Sequence, residues 1–187
     1  MPLATAESYS EMLVAARERG FALPGVAVTS SETLNAAIRG FADAESDGII
    51  QVSPAAGRFA SGTAVESTAL GALALAAYAE ALAEQYSVQI ALHTDHCRAA
   101  QLDSFLVPLL NESVRNLAKR GRPLFNSQMF GGSDLARDEN PDISARLLER
   151  TSAAGVILEI EVGVVGGNSA RTEKIRGRNG HATGALR

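Results

Sequence analysis

The chain has 187 residues, 46% of them hydrophobic and 20% charged, which suits one well-buried globular domain and excludes a disordered chain. A net charge of −4 and a pI near 5.4 weigh against a nucleic-acid partner, which requires a basic face. The single cysteine, Cys97, excludes an internal disulfide and points to a reducing cytoplasm. The N-terminal stretch lacks the basic and apolar regions of a signal peptide. The longest apolar run, Ala69 to Ala79, is well short of the ~20 residues of a membrane span. The expectation is a soluble, cytoplasmic protein.

In chain order, residues 6–19 read as a first helix and the apolar run 24–29 as a first strand. A helix over 31–45 follows, with Ser30 or Ser31 as its cap, and then a strand over 48–53. An alanine-rich helix spans roughly 64–85, and residues 88–94 form a third strand. A helix near 101–119, a strand over 122–127, a helix following Pro141 and a strand over 155–162 complete the series. The strands are nearly continuous apolar runs, as expected for parallel strands covered on both faces. Strand alternating with helix predicts successive right-handed βαβ units.

Polar groups gather at the same end of these strands: Ser53; His93, Asp95 and His96; Asn126, Ser127 and Gln128; Glu159 and Glu161. In barrels and open α/β sheets the C-terminal strand ends carry the active site. Neighbours in an extended segment point to opposite faces, so Asp95 and His96 flank one substrate only if the strand ends between them and the chain turns. His96 as a metal ligand with Asp95 as general acid/base is one reading, and a hydrogen-bonded strand cap is the other. Glu159 and Glu161 lie two apart and face one side, either around a cation or on a strand half in solvent. Ser53 suits a phosphate oxygen or a helix cap, and Cys97 a ligand, a reactive thiol or a packing element.

The segments ALHTDHC, SSETLNAAIRGFADAESDGIIQVS, RPLFNSQM and LEIEVGVVGG, in this order and spacing, resemble class II, metal-dependent fructose-bisphosphate aldolase, actinobacterial forms above all. The resemblance runs from about residue 2 to Gly167. It implies an α/β fold of the TIM-barrel (β/α) type, here incomplete with about five strands, since a whole barrel takes about 250 residues. It also implies a homo-oligomer, no membrane or nucleic acid, and a divalent ion, usually zinc. The reaction implied is reversible cleavage of fructose 1,6-bisphosphate, a phosphorylated sugar, into dihydroxyacetone phosphate and glyceraldehyde 3-phosphate. By matching motif, Asp95 resembles the proton donor/acceptor and His96 one of three metal-binding histidines. Glu161 resembles a ligand of a second metal position, and Ser53 a contact to the aldehyde-phosphate half.

Departures accompany the likeness. The other two metal histidines of the family have no counterpart, and His181 lacks the surrounding strand. Asn168 and Ser169 stand where the family has an acidic loop carrying a base. Gln128 replaces a histidine, Gly131 the aspartate of the second metal position, and Ala27 an asparagine. Residues 168–187 hold five of the 17 Lys and Arg and one of the 21 Asp and Glu, without apolar periodicity. Residues 1–167 therefore read as a partial aldolase domain and 168–187 as a basic, disordered tail from a shifted frame or truncated gene. The rival readings are a tagatose-type ketose-bisphosphate aldolase and a non-catalytic remnant.

Overall fold

The computed structural model describes residues 3–161 apart from Asp134, Arg137 and Asp138; the predicted tail lies outside the described residues. Helix α1 (Ala6–Arg19) precedes β1 (Gly25–Ala27), α2 (Ser31–Asp43), β2 (Gly48–Val52), α3 (Pro54–Ala60) and α4 (Thr68–Ala83). Then come β3 (Ile90–Arg98), a 3-10 turn and a π turn through Leu106, α5 (Val107–Arg120), β4 (Ser127–Gly131), α6 (Glu139–Ala153) and β5 (Ile157–Ile160). All five strands are parallel and lie side by side in chain order, the α/β, part-barrel arrangement expected from the sequence.

Local chemistry sets the helix starts. Thr5 and Ser30 form reciprocal capping boxes with Ser8 and Thr33, satisfying amides that the first turn leaves free. Gly20 and Gly121 end α1 and α5 at φ 70° and 73°, a left-handed turn that glycine adopts without steric cost. Pro141 falls in the first turn of α6, where its missing N–H costs nothing.

Alternation along the strands creates two unlike faces. Val28, Ile50, Val52, Ile90, Leu92 and Phe130 pack outward against Leu34, Ile38 and Phe41 of α2, Leu75 of α4, and Phe105 and Leu109 beside β3. The helices approach the sheet and one another closely. A Cβ at Gly48 would meet the Phe41 ring at 2.5 Å, and one at Gly71 would lie 1.8 Å from the Gly57 carbonyl oxygen. Thus α3 and α4 cross backbone to backbone. The other face has a smaller apolar cluster, Ala4, Tyr9, Met12 and Ala91, where α1 lies over the sheet.

Several boundaries differ from the sequence reading. The fourth strand is Ser127–Gly131, not 122–127. Leu124 and Phe125 are buried as the pattern suggested, but in the connection, where Phe125 N–H donates to Ser113 Oγ at 3.2 Å. Helix α3 went unseen because its seven residues carry too little periodicity to read. The alanine-rich helix is correspondingly shorter, starting at Thr68 with Ser67 as its cap.

Candidate functional site

Strand β3 runs on past Thr94 to Arg98, and an irregularity replaces the predicted strand end. Thr94 pairs with Gln128 and Cys97 with Phe130, so Asp95 and His96 together oppose the single residue Met129. This is a β-bulge, the device by which a strand turns an extra side chain onto one face. His96 takes φ 47°, a left-handed conformation that histidine tolerates better than most non-glycine residues. The bulge thus solves the parity problem without ending the strand. Beyond it Cys97 is buried on the outer face, and burial pushes its thiol up to about 11, the pKa of an inert packing residue.

Three of the four residues singled out from sequence meet at the C-terminal mouth of the sheet. His96 Nδ1 lies 3.6 Å from Glu161 Oε1, and His96 Nε2 lies 3.7 Å from Asp95 Oδ1. Glu161 is the shielded member, its side chain 10% exposed against 63% for His96. Its backbone is held by Asn140 of α6, whose amide donates to the Glu161 carbonyl at 2.8 Å and the Gly132 carbonyl at 3.1 Å. A Cβ on Gly131 would stand 3.2 Å from Glu161 Oε2, so a longer side chain there would point into the same space. Ser53 follows β2 and caps α3, accepting the Ala56 N–H at 3.1 Å. Its hydroxyl proton is not consumed by that bond.

Among the described residues no group of three His, Cys, Asp or Glu is placed to hold a metal. His96 and Glu161 have the donor chemistry of a metal site, but catalytic zinc takes three protein ligands. The described donors do not by themselves fit zinc.

Beneath the mouth lies a polar group that the sequence only half disclosed. His93 is buried; its Nδ1 lies 2.8 Å from Ser127 Oγ, and Tyr9 OH lies 3.2 Å from the same oxygen. His93 Nε2 faces Glu159 Oε2 at 3.8 Å. Burial holds the His93 pKa below its ordinary value against the opposing pull of Glu159 and Asp95, and burial raises that of Tyr9. Tyr9 had no signal in the sequence, being 118 positions from its partner. Asn126, expected on the rim, is instead structural. It precedes β4, accepts the Leu92 N–H at 2.9 Å, and donates to the Ala4 carbonyl at 2.9 Å. A separate groove between α2, α3 and α4, lined by Ser30, Phe59 and Tyr78 among others, includes none of the mouth residues.

Residues 7–184 match the family described as fructose-bisphosphate aldolase class-II. The chain is 50% identical over 179 residues to the fructose-bisphosphate aldolase of Corynebacterium glutamicum, covering 96% of this chain and 52% of that one. It is 52% identical over 167 residues to the Mycobacterium tuberculosis enzyme of the same name, covering 89% and 48%. Among solved structures, the fructose-bisphosphate aldolase of Campylobacter jejuni superposes with a TM-score of 0.82 at 30% identity, covering 89% of this chain and 47% of that one. The chain spans about half the length of the curated relatives it matches.

Proposed function

Because the chain belongs to the class-II fructose-bisphosphate aldolase family, we propose that its mouth is the portion of an aldolase site that works on the aldehyde half of a phosphorylated ketose. The observation that carries this is the β3 bulge, which turns Asp95 and His96 onto one face within 3.7 Å of each other and beside Glu161. In this reading Asp95 takes the proton from the hydroxyl of the bond being broken and returns it in the condensation direction. Its side chain is 21% exposed, open enough for a substrate and shielded enough to stay oriented. Ser53, its lone pair engaged by the cap, donates its proton to a phosphate oxygen.

We assign Glu161 to a second metal position and His96 to the family's catalytic divalent ion, zinc. That ion's chemistry is polarisation of a carbonyl, and it requires imidazoles beyond the one here. A cytoplasmic homo-oligomer is the setting proposed; no described helix is long and apolar enough to cross a membrane. The donor set is incomplete among the described residues, which favours one second reading, a non-catalytic remnant of the family.

A chimera separates the two. Residues 7–161 replace the matching stretch of the Corynebacterium glutamicum aldolase, and cleavage of fructose 1,6-bisphosphate is assayed with zinc. Metal-dependent cleavage that is lost in Asp95→Asn supports the aldolase reading. A folded chimera without activity supports the remnant.

A further inference from the structure

The Tyr9, Ser127, His93 and Glu159 cluster is buried at one end, open at the other, and outside the roles assigned above. A serine, a histidine and a carboxylate in series suggest a hydrolytic triad, but the geometry rejects it. Ser127 is 3% exposed and sits under Tyr9, so no substrate carbonyl reaches its oxygen. The serine also contacts Nδ1 and the carboxylate faces Nε2, the reverse of the arrangement in serine hydrolases.

Proton counting gives the cluster a direction. A neutral imidazole carries one N–H, and each hydroxyl carries one proton. If Nδ1 held the proton, the bare Nε2 lone pair would face a carboxylate oxygen, which is repulsive. If Nε2 holds it, Tyr9 donates to Ser127, Ser127 donates to Nδ1, and Nε2–H points at Glu159. Only this direction leaves no acceptor facing an acceptor. The 3.8 Å separation from Glu159, whose side chain is 57% exposed, is a charge contact rather than a direct hydrogen bond.

We infer that Tyr9, Ser127 and His93 form a directed hydrogen-bond relay from helix α1 that positions the Glu159 carboxylate on the inner face beneath the mouth. His93 and Ser127 are paired across β3 and β4 immediately below the bulge. The relay therefore also fixes the point from which Asp95 and His96 depart. These are positioning residues: His93 acts through Glu159, and Ser127 acts through His93. The inference takes its purpose from the function proposed above, but its readout needs no turnover, so either can fail without the other.

The test is nitrogen NMR of the imidazoles in the full chain above neutral pH. His93 is expected as the Nε2–H tautomer with a slowly exchanging proton. Glu159→Ala is expected to speed exchange of that proton severalfold, because the Nε2–H loses the carboxylate it faces. Ser127→Ala is expected to mix the tautomers, and Ser127→Thr, which keeps the hydroxyl, to restore one. An Nδ1–H tautomer in the unaltered protein would overturn the relay, as would unchanged exchange in Glu159→Ala.

Discussion

The two faces of one five-stranded sheet are built by opposite rules, although their residues alternate along the same strands. Outward, Ile50, Leu92 and Phe130 are fully buried in a continuous apolar layer under the helices. Inward, Gln51, His93, Asp95, Ser127, Glu159 and Glu161 carry polar groups from the level of α1 to the mouth, with Met129 and Ile157 among them. The apolar face supplies most of the free energy that holds the fold, since each buried aliphatic side chain contributes about 1.5–3 kcal/mol. The inner face buries less apolar surface and holds the residues proposed for the chemistry. Substitutions should therefore divide by face.

The largest effect is expected at the α3–α4 crossing. Gly71→Ala drives a methyl into the Gly57 carbonyl, where backbone rather than a flexible side chain must give way. The expected loss is above about 3 kcal/mol, read by urea unfolding; a loss under 1 kcal/mol would mean that the helices are not pressed together. Next is Asn126, a polar residue that behaves as core. Its amide ties the segment before α1, β3 and the start of β4, so Asn126→Ala should cost about 1–3 kcal/mol by stranding buried partners.

One polar intruder on the outer face sharpens the contrast. Gln128 is fully buried, and neither amide atom has a hydrogen-bond partner among the described residues; the same is true of the hydroxyl of Thr94, its register neighbour. Gln128→Leu should stabilise the protein by about 1 kcal/mol by removing an unpaired amide from an apolar layer. A fall in melting temperature would show that the amide has a partner, such as a buried water.

The smallest effect is in pH dependence, and it belongs to the inner face. The unfolded chain takes a proton on His93 near its ordinary pKa of 6.5, whereas the folded protein resists it. Stability is thus complete above that pH and falls as the medium is acidified below it. Tyr9 behaves as the mirror case: its raised pKa keeps the folded phenol protonated when the unfolded one ionises, so stability falls as pH rises above 10.0. His93→Asn should flatten the acid limb of a stability-against-pH curve and leave the alkaline limb in place.

How far the sequence disclosed these faces follows from the same alternation. The parallel order of the strands was legible because short apolar runs alternate with helical patterns, although the fourth run, 122–127, proved to be mostly the connection before Ser127–Gly131. Helix α1 matched its predicted span because Thr5, Ser8 and Gly20 mark both ends. The bulge was not legible. Nothing in His-Thr-Asp-His-Cys marks an extra residue, and the conclusion that the strand must end followed correctly from an incorrect premise of regular pleating. Asn126 was misplaced because the strand boundary was set four residues early at its far end, which moved a bottom residue to the rim. Asp95, His96 and Glu161 stood out as polar strand ends, took their specific roles from the motif resemblance and were brought together by the fold, whereas Tyr9 joins the inner face through tertiary packing alone.

The central claim is that this mouth holds the proposed acid–base carboxylate and one imidazole of an aldolase site but, among the described residues, too few donors to complete it. The direct measurement is a coupled assay of fructose 1,6-bisphosphate cleavage by the 187-residue chain with added zinc. Removing a single group that stabilises a transition state commonly costs about 10²–10³ in rate, and the described residues hold only part of the donor set, so a rate at the zinc-only background is expected. Turnover near that of an intact class-II aldolase, abolished by Asp95→Asn, would contradict the claim.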